Sequence, residues 1–433
     1  MDFAKYFQIV EKVDMARVIG KVVHVVGLII EAQVQGVSVG ELCTIFLEDE
    51  TSVHAEVVGF KEGRVLLMPL GGTSGIRPGA KVQATGSVLS VKVGNALLGR
   101  ILDGLGNPID HKGALVTDME YPLDKIPPDP VNRPRITEKL QVGVKAIDGL
   151  LTIGQGQRIG IFAGSGVGKS TLMGMIARNT EADVNVISLI GERGREVRDF
   201  IEESLGEEGL KKSVVIVATS DQPPLIRLKG ASVGTAVAEY FRDQGKKVLF
   251  MMDSVTRFAM AQREVGLASG EPPTTKGYPP SVFALMPRLM ERSGTSKKGS
   301  ITAFYTVLVE GDDFNEPISD TARGILDGHI MLSRDLAARN HYPCIDVNHS
   351  VSRLMTAISK PDHKDASGKL REVLARYSEA EDLINIGAYV KGSNPKIDNA
   401  LSKIDAVNNF LKQTTEEKCD FDDTIKKLTS IFG

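Results

Sequence analysis

A glycine-rich turn set between an apolar strand and a helical pattern constrains this chain more than any other stretch. Residues 158–171 read RIGIFAGSGVGKST. Positions 159–162 are apolar and partly β-branched, the texture of a buried strand. Past the turn, Leu172, Met173, Met175 and Ile176 begin a helical apolar spacing. Strand, glycine turn and helix is the context a phosphate-binding loop requires. Glycines let successive backbone N–H groups curl around an anion with no Cβ in the way. The helix start adds partial positive charge at the same point. The expected nucleotide contacts are Gly164, Ser165, Gly166, Val167, Gly168, Lys169, Ser170 and Thr171. Lys169 is expected to reach the β- and γ-phosphates of a nucleotide and the Ser170 hydroxyl to ligate Mg²⁺. The first motif position is Ala163 rather than glycine, a small perturbation. The plain alternative is a chance glycine-rich turn.

With 433 residues the chain has room for about three domains. Hydrophobic residues at 42% and charged ones at 25% suit a soluble globular protein. A net charge of −3 offers no basic field for nucleic acid, and aromatics at 5% without Trp argue against a base-stacking surface. Cys43, Cys344 and Cys419 show no metal or redox spacing and suit a reducing cytosol. No HExxH occurs among the histidines. The N-terminus carries acidic residues where a signal peptide needs positive charge, and runs such as 25–30 are too short to span a bilayer. A soluble, cytoplasmic protein is expected.

Residues 1–15 have the spacing of a short amphipathic helix or of a frayed tail. The β-branched runs 22–26, 42–47, 53–58, 65–69, 81–84 and 87–93, separated by glycine-containing turns, predict a small β-barrel. DGLGNP, within 97–110, marks a tight connection. Five prolines between 122 and 135 forbid regular helix or central strand there, so an extended strap or a flexible linker is expected. A short helix is expected at 143–150. Strands are expected at 184–190, 214–218, 248–252 and 301–309, and a long helix from Pro224 to about Gln244, stopped by Gly245. Alternating strands and helices imply a mainly parallel sheet covered on both faces. Residues 356–433 read as helices only, with GSNP at 392–395 as a turn between two of them. The expected domains are 1–93, 94–355 with the strap 122–135, and 356–433.

Nucleotide binding becomes hydrolysis when carboxylates join the loop. Asp253 ends the apolar VLFMM run, where a strand-end carboxylate can hold Mg²⁺, though such a residue also caps turns. Glu192 also follows a strand and can polarise a water for attack on the γ-phosphate, or form a surface salt bridge with Arg193 or Arg195.

The chain resembles the rotary-type hexameric ATPases, and within them the flagellar export ATPases of the type III secretion branch. The residues that carry the resemblance are AGSGVGKST (163–171), GERGREVRDF (191–200), ATSDQPP (218–224), MMDSVTRFAMAQRE (251–264), GEPPTTKGYPPSVF (270–283), ERSG (291–294), ITAFYTVLVEGDD (301–313) and SVSRLM (350–355). The resemblance implies a RecA-like α/β domain with Glu192 as catalytic carboxylate and Arg193 orienting the γ-phosphate or the water. It implies Asp253 and Ser170 at the metal, and Arg353 as an arginine finger offered across a subunit boundary. Tyr342 would stack near the adenine, or else be a packed domain-boundary tyrosine; Arg257 would couple the boundary to the site. It further implies a homohexamer whose loop 266–280 meets a central coiled-coil stalk protein, unless that loop is plain surface. A stator-like regulatory subunit, export gate membrane proteins, and export chaperones and substrates are the other implied partners, with no nucleic acid. The implied location is cytoplasmic, at the inner membrane below the flagellum. The alternatives are an injectisome ATPase and a subunit of a proton-translocating ATPase.

Overall fold

The computed structural model describes residues 18–117, 119–309 and 313–433. The helix expected at 1–15 and part of the 301–313 motif lie outside these residues. The chain forms two compact units. One takes residues up to Ser90 with Gln222–Ile226 and Ala261–Val282; the other takes Val91–Asp221, Arg227–Met260 and Phe283–Gly433.

In the first unit, β1 (Ile19–Val26), β2 (Ile29–Gln33), β3 (Glu41–Phe46), β4 (Ser52–Lys61), β5 (Arg64–Pro69) and β6 (Lys81–Val88) close a barrel in the order β1-β2-β5-β4-β3-β6. Period-two alternation fills it: along β3, Cys43 and Ile45 point inward between half-exposed Leu42, Thr44 and Phe46, and Ile30, Val57, Leu67 and Val82 meet them. Closure leaves no open sheet edge. The expected barrel run 87–93 divides. Its start ends β6, while β7 (Ser90–Val93) pairs instead with a later strand outside the barrel. The missing barrel strand is β2, unread in the sequence. Loop 266–280 in this unit is tied locally: Glu271 accepts from Ser281 N just past its end, and Thr274 Oγ1 donates to the Tyr278 carbonyl.

The second unit holds β8 (Ile101–Asp103), β9 (Met119–Pro122), β10 (Lys139–Leu140), β11 (Ile153–Gly154), β12 (Arg158–Ala163), β13 (Val184–Ile190), β14 (Ser213–Ala218), β15 (Lys247–Asp253), β16 (Gly294–Thr295), β17 (Ser300–Leu308), β18 (Gly328–Leu332) and β19 (Ile345–Ser352). The main sheet runs β19-β18-β12-β17-β15-β13-β14-β8. From β18 to β8 every pair is parallel; β19 runs antiparallel on one edge and β16 pairs antiparallel with β17. The central strands are mostly apolar because both faces are covered: every residue of β13 is buried, Asn185 and Ser188 included. Helix Pro224–Asp243 begins on its proline, and Gly245 ends it at φ 83°. The strap starts on Pro122, the last residue of β9, and then carries a 3₁₀ turn at Pro130–Asn132.

Past β19 only helices occur: Met355–Ile358, Pro361–Asn385, Pro395–Leu411 and Phe421–Ser430. Asn394 caps the third by accepting from Lys396 N. Leu370, Val373, Val407, Phe410 and Leu428 join one apolar cluster with Ile147 and Leu150 of the helix Lys145–Leu150. No helix among the described residues is long and apolar enough to cross a membrane.

Asp148, on that short helix, is fully buried and accepts from Val142 N at 3.0 Å and Gly143 N at 2.8 Å. Burial pushes its carboxyl up to about 7, against the pull of those two N–H groups. A carboxyl raised in the folded state stabilises most below its unfolded pKa of about 3.9, and that stability is lost as pH rises through 7. Asp148→Asn is expected to melt closer to the wild type, or above it, as pH rises from 5 to 7.5. A mutant-minus-wild-type difference that stays flat with pH contradicts this.

Candidate active site

Three parallel strands deliver the site at their carboxyl ends. β12 runs into the glycine loop, β15 ends on Asp253, and β13 is followed by Gly191 and Glu192. Since β12, β17, β15 and β13 are neighbours, all three groups share one rim of the sheet, the usual ligand edge of such sheets. Gly166 and Gly168 take φ of 80° and 79°, which lets the loop turn before the helix Lys169–Asn179 begins at Lys169. Ser170 and Thr171 follow in its first turn.

Lys169 Nζ lies 2.5 Å from Asp253 Oδ1 and 3.5 Å from Glu192 Oε1. Burial works against the lysine's charge, but Asp253 and then Glu192 outweigh it and raise its pKa. Thr306 Oγ1 of β17 donates to the same Asp253 oxygen at 2.7 Å. Asp253 is 3% exposed, and its carboxylate faces the lysine rather than capping a turn. Glu192 is pushed up to about 7, first by burial and then by the charge of Asp253, with Lys169 pulling the other way. Glu196, one turn on, shares a hydrogen bond with Glu192 and is itself lowered by it. The salt-bridge alternative for Glu192 does not hold. Arg193 turns outward to Glu196 at 3.1 Å and Arg195 to Asp199 at 3.5 Å. A base near neutral pKa suits proton transfer at neutral pH.

The ring of Tyr342 stands against Gly168, with Cδ1 and Cε1 each 3.8 Å from where a side chain there would begin. Tyr342 is 43% exposed and lines a cavity of about 440 Å³. Val167, Thr171 and Leu172 form one wall of that cavity and Gln413 to Thr415 another. Arg257 packs its stem on Gly191, where a Cβ would lie 2.7 Å from its own.

Arg193 is beside Glu192 but points outward, and Arg353 is kept at the other end of the sheet. β19 runs antiparallel, so Ser352 pairs with Gly328 at the start of β18. Arg353 N donates to the Asp327 carbonyl, and Asp327 holds Arg158 at the start of β12. The loop leaves the far end of β12, a strand's length or roughly 20 Å away. Thr306 and Glu196 are not singled out by the sequence, and Cys344 is read there only as lacking metal or redox spacing. Glu196 was the most findable, four positions beyond Glu192 at helical spacing. Among the described residues no three His, Cys, Asp or Glu side chains gather as a metal cluster.

A phosphate loop on a mainly parallel sheet, with two carboxylates at its lysine, defines a nucleotide hydrolase of the RecA-like kind. Residues 143–352 match the ATP synthase alpha/beta family, nucleotide-binding domain; 22–86 match the beta-barrel domain of that family; 359–430 match the T3SS EscN ATPase C-terminal domain. The chain belongs to the ATPase family of flagellum-specific ATP synthases and type 3 secretion system ATPases. It is 57% identical to the flagellum-specific ATP synthase of Bacillus subtilis, covering 98% of this chain and 97% of that one. It is 54% identical to the type 3 secretion system ATPase of Xanthomonas euvesicatoria, covering 95% and 93%. The assembled ATPase EscN of the enteropathogenic E. coli type III secretion system superposes with a TM-score of 0.91 at 46% identity, covering 96% of this chain and all of that one. A second EscN structure, in complex with its central stalk EscO, gives 0.89.

Proposed function

We propose that this ATPase drives unfolding and export of flagellar proteins as a homohexameric ring whose sites are completed across boundaries between copies. The observation that carries the ring is the separation of Arg353 from the glycine loop, with Lys169, Asp253 and Glu192 gathered on the opposite rim. The flagellar assignment is supported by near full-length similarity to the Bacillus subtilis protein. The match of 359–430 to the EscN C-terminal domain speaks against the proton-translocating alternative.

In this reading the backbone N–H groups of Gly164, Ser165, Gly166, Val167, Gly168, Lys169, Ser170 and Thr171 cradle the phosphates. Lys169 leaves its carboxylates for the β- and γ-phosphates. Asp253 and the Ser170 hydroxyl are hard oxygen donors that suit Mg²⁺, and they are the groups that would hold it. The ion supplies charge neutralisation on the phosphates when bound. Glu192 takes the proton of the attacking water, Arg193 swings in from its exposed position to orient it, and Arg353 comes from a neighbouring copy. Tyr342 stacks on the adenine in the cavity it lines. The same reading divides the chain at 93 and 355, in keeping with the limits of the three family matches.

Loop 266–280 is the proposed contact for a central coiled-coil stalk; the EscN–EscO complex supports a stalk partner. A stator-like subunit, export gate membrane proteins, and chaperones with their substrates complete the proposed set, with no nucleic acid. The protein then works in the cytoplasm against the inner membrane. ATPase activity measured against protein concentration, with and without a candidate stalk protein, tests the ring. Specific activity should rise steeply with concentration and rise further with the stalk. A specific activity flat from dilute to concentrated protein contradicts it.

A further inference from the structure

One segment, 333–344, touches the glycine loop at three points. The Arg334 guanidinium lies against Gly164, with Nε and Nη2 each 2.7 Å from where a Cβ would sit. Cys344 Sγ donates to the Val167 carbonyl at 2.7 Å. Tyr342 faces Gly168. The segment is closed on itself: Ser333 N donates to the Cys344 carbonyl at 2.9 Å, and His341 N to the Leu336 carbonyl at 2.9 Å. Gln413 N, from the other cavity wall, donates to the Tyr342 carbonyl at 3.0 Å.

We propose that segment 333–344 is a brace that ties the cavity beside Tyr342 to the shape of the phosphate loop, with Cys344 as its positioning residue. The inference rests on reading 164–171 as the phosphate grip, and it adds what holds that grip. A loop with glycine at 164, 166 and 168 has few side chains with which to hold its own turn, so outside contacts must select it. The Val167 carbonyl and the Gly168 N–H belong to one rigid peptide plane and point in opposite directions. A donor that holds the carbonyl therefore aims the N–H. Cys344 is 1% exposed, and burial raises its thiol pKa, so it remains a protonated donor through neutral pH. A base that orders Tyr342 also orders Cys344, two residues on, and through it the loop.

The test compares KM and kcat for ATP in Cys344→Ser, Cys344→Ala and Cys344→Val, with melting temperatures alongside. Serine keeps a donor and gives up apolar character; alanine and valine do the reverse. The brace predicts that alanine and valine raise KM about three- to tenfold, the range one lost hydrogen bond spans, with kcat within about twofold. Serine should hold KM within about twofold of the wild type. A packing role predicts the opposite order: serine impaired, valine tolerated. That order overturns the proposal. Should valine fail to fold, the serine–alanine comparison decides alone. Lys169→Ala separates the two layers. If it leaves ATP binding intact, the phosphate-grip reading falls and the brace with it. If it abolishes binding while Cys344→Ala keeps the wild-type KM, only the brace falls.

Discussion

Glu192→Gln is expected to bind ATP about as well as the wild type and to hydrolyse it about 10²–10⁴-fold more slowly, the span of a lost general base. The substitution keeps the size of the side chain and removes its ability to take a proton. Binding should survive because Lys169 retains Asp253 as a partner before nucleotide arrives, at 2.5 Å. One negative charge fewer beside a triphosphate does not weaken its grip. Turnover should collapse because, among the described residues, the carboxylates beside Glu192 are engaged: Asp253 is held by Lys169 and Thr306, and Glu196 is lowered. Equilibrium nucleotide binding and steady-state turnover, measured on one preparation, separate the two effects. Near-normal turnover would remove Glu192 from its assigned role.

Arg353→Ala is expected to lower kcat by about 10³–10⁵, or about 4–7 kcal/mol of barrier, with ADP affinity nearly unchanged. The side chain is exposed and, among the described residues, donates to the Arg323 carbonyl at a long 3.4 Å. A purely structural arginine there would lower melting temperature and leave the per-site rate alone. The arginine-finger reading requires the reverse, a normal melting temperature with a slow chemical step. A loss below about tenfold contradicts the reading.

The parallel sheet was legible because a strand buried on both faces is mostly apolar, as the run at 159–162 is and as 184–190 is apart from Asn185 and Ser188. The glycine loop was legible because backbone anion binding leaves a mark in residue type. Other elements left weaker marks. β8 has three residues and runs into the DGLGNP turn, whose turn signal dominates the stretch. β18 and β19, at the sheet edge, mix His, Asn and Ser into their pattern and read as neither strand nor helix. β2 includes Glu31 and Gln33 in a short run, which dilutes its strand pattern. The run at 87–93 looked continuous, yet it spans two pairings. In the site, Lys169, Asp253 and Glu192 could be gathered in advance, since each follows a parallel strand. The cavity could not, because Gln413 lies over 200 positions from the loop it faces. The separation of Arg353 from its own loop agrees with a finger offered across a boundary, but its cause, β19 reversing direction, left no mark in the sequence.

A mixing experiment tests the shared site most directly. Glu192→Gln and Arg353→Ala protomers, each nearly inactive alone, are combined across a range of ratios and assayed for ATP turnover. An Arg353→Ala protomer still carries a working Glu192, and a Glu192→Gln neighbour still offers an intact Arg353. Boundaries that pair the two in that order are complete, so activity should return, highest near equal proportions and absent at either end. If mixed rings form and no ratio restores turnover, the site is not divided between copies.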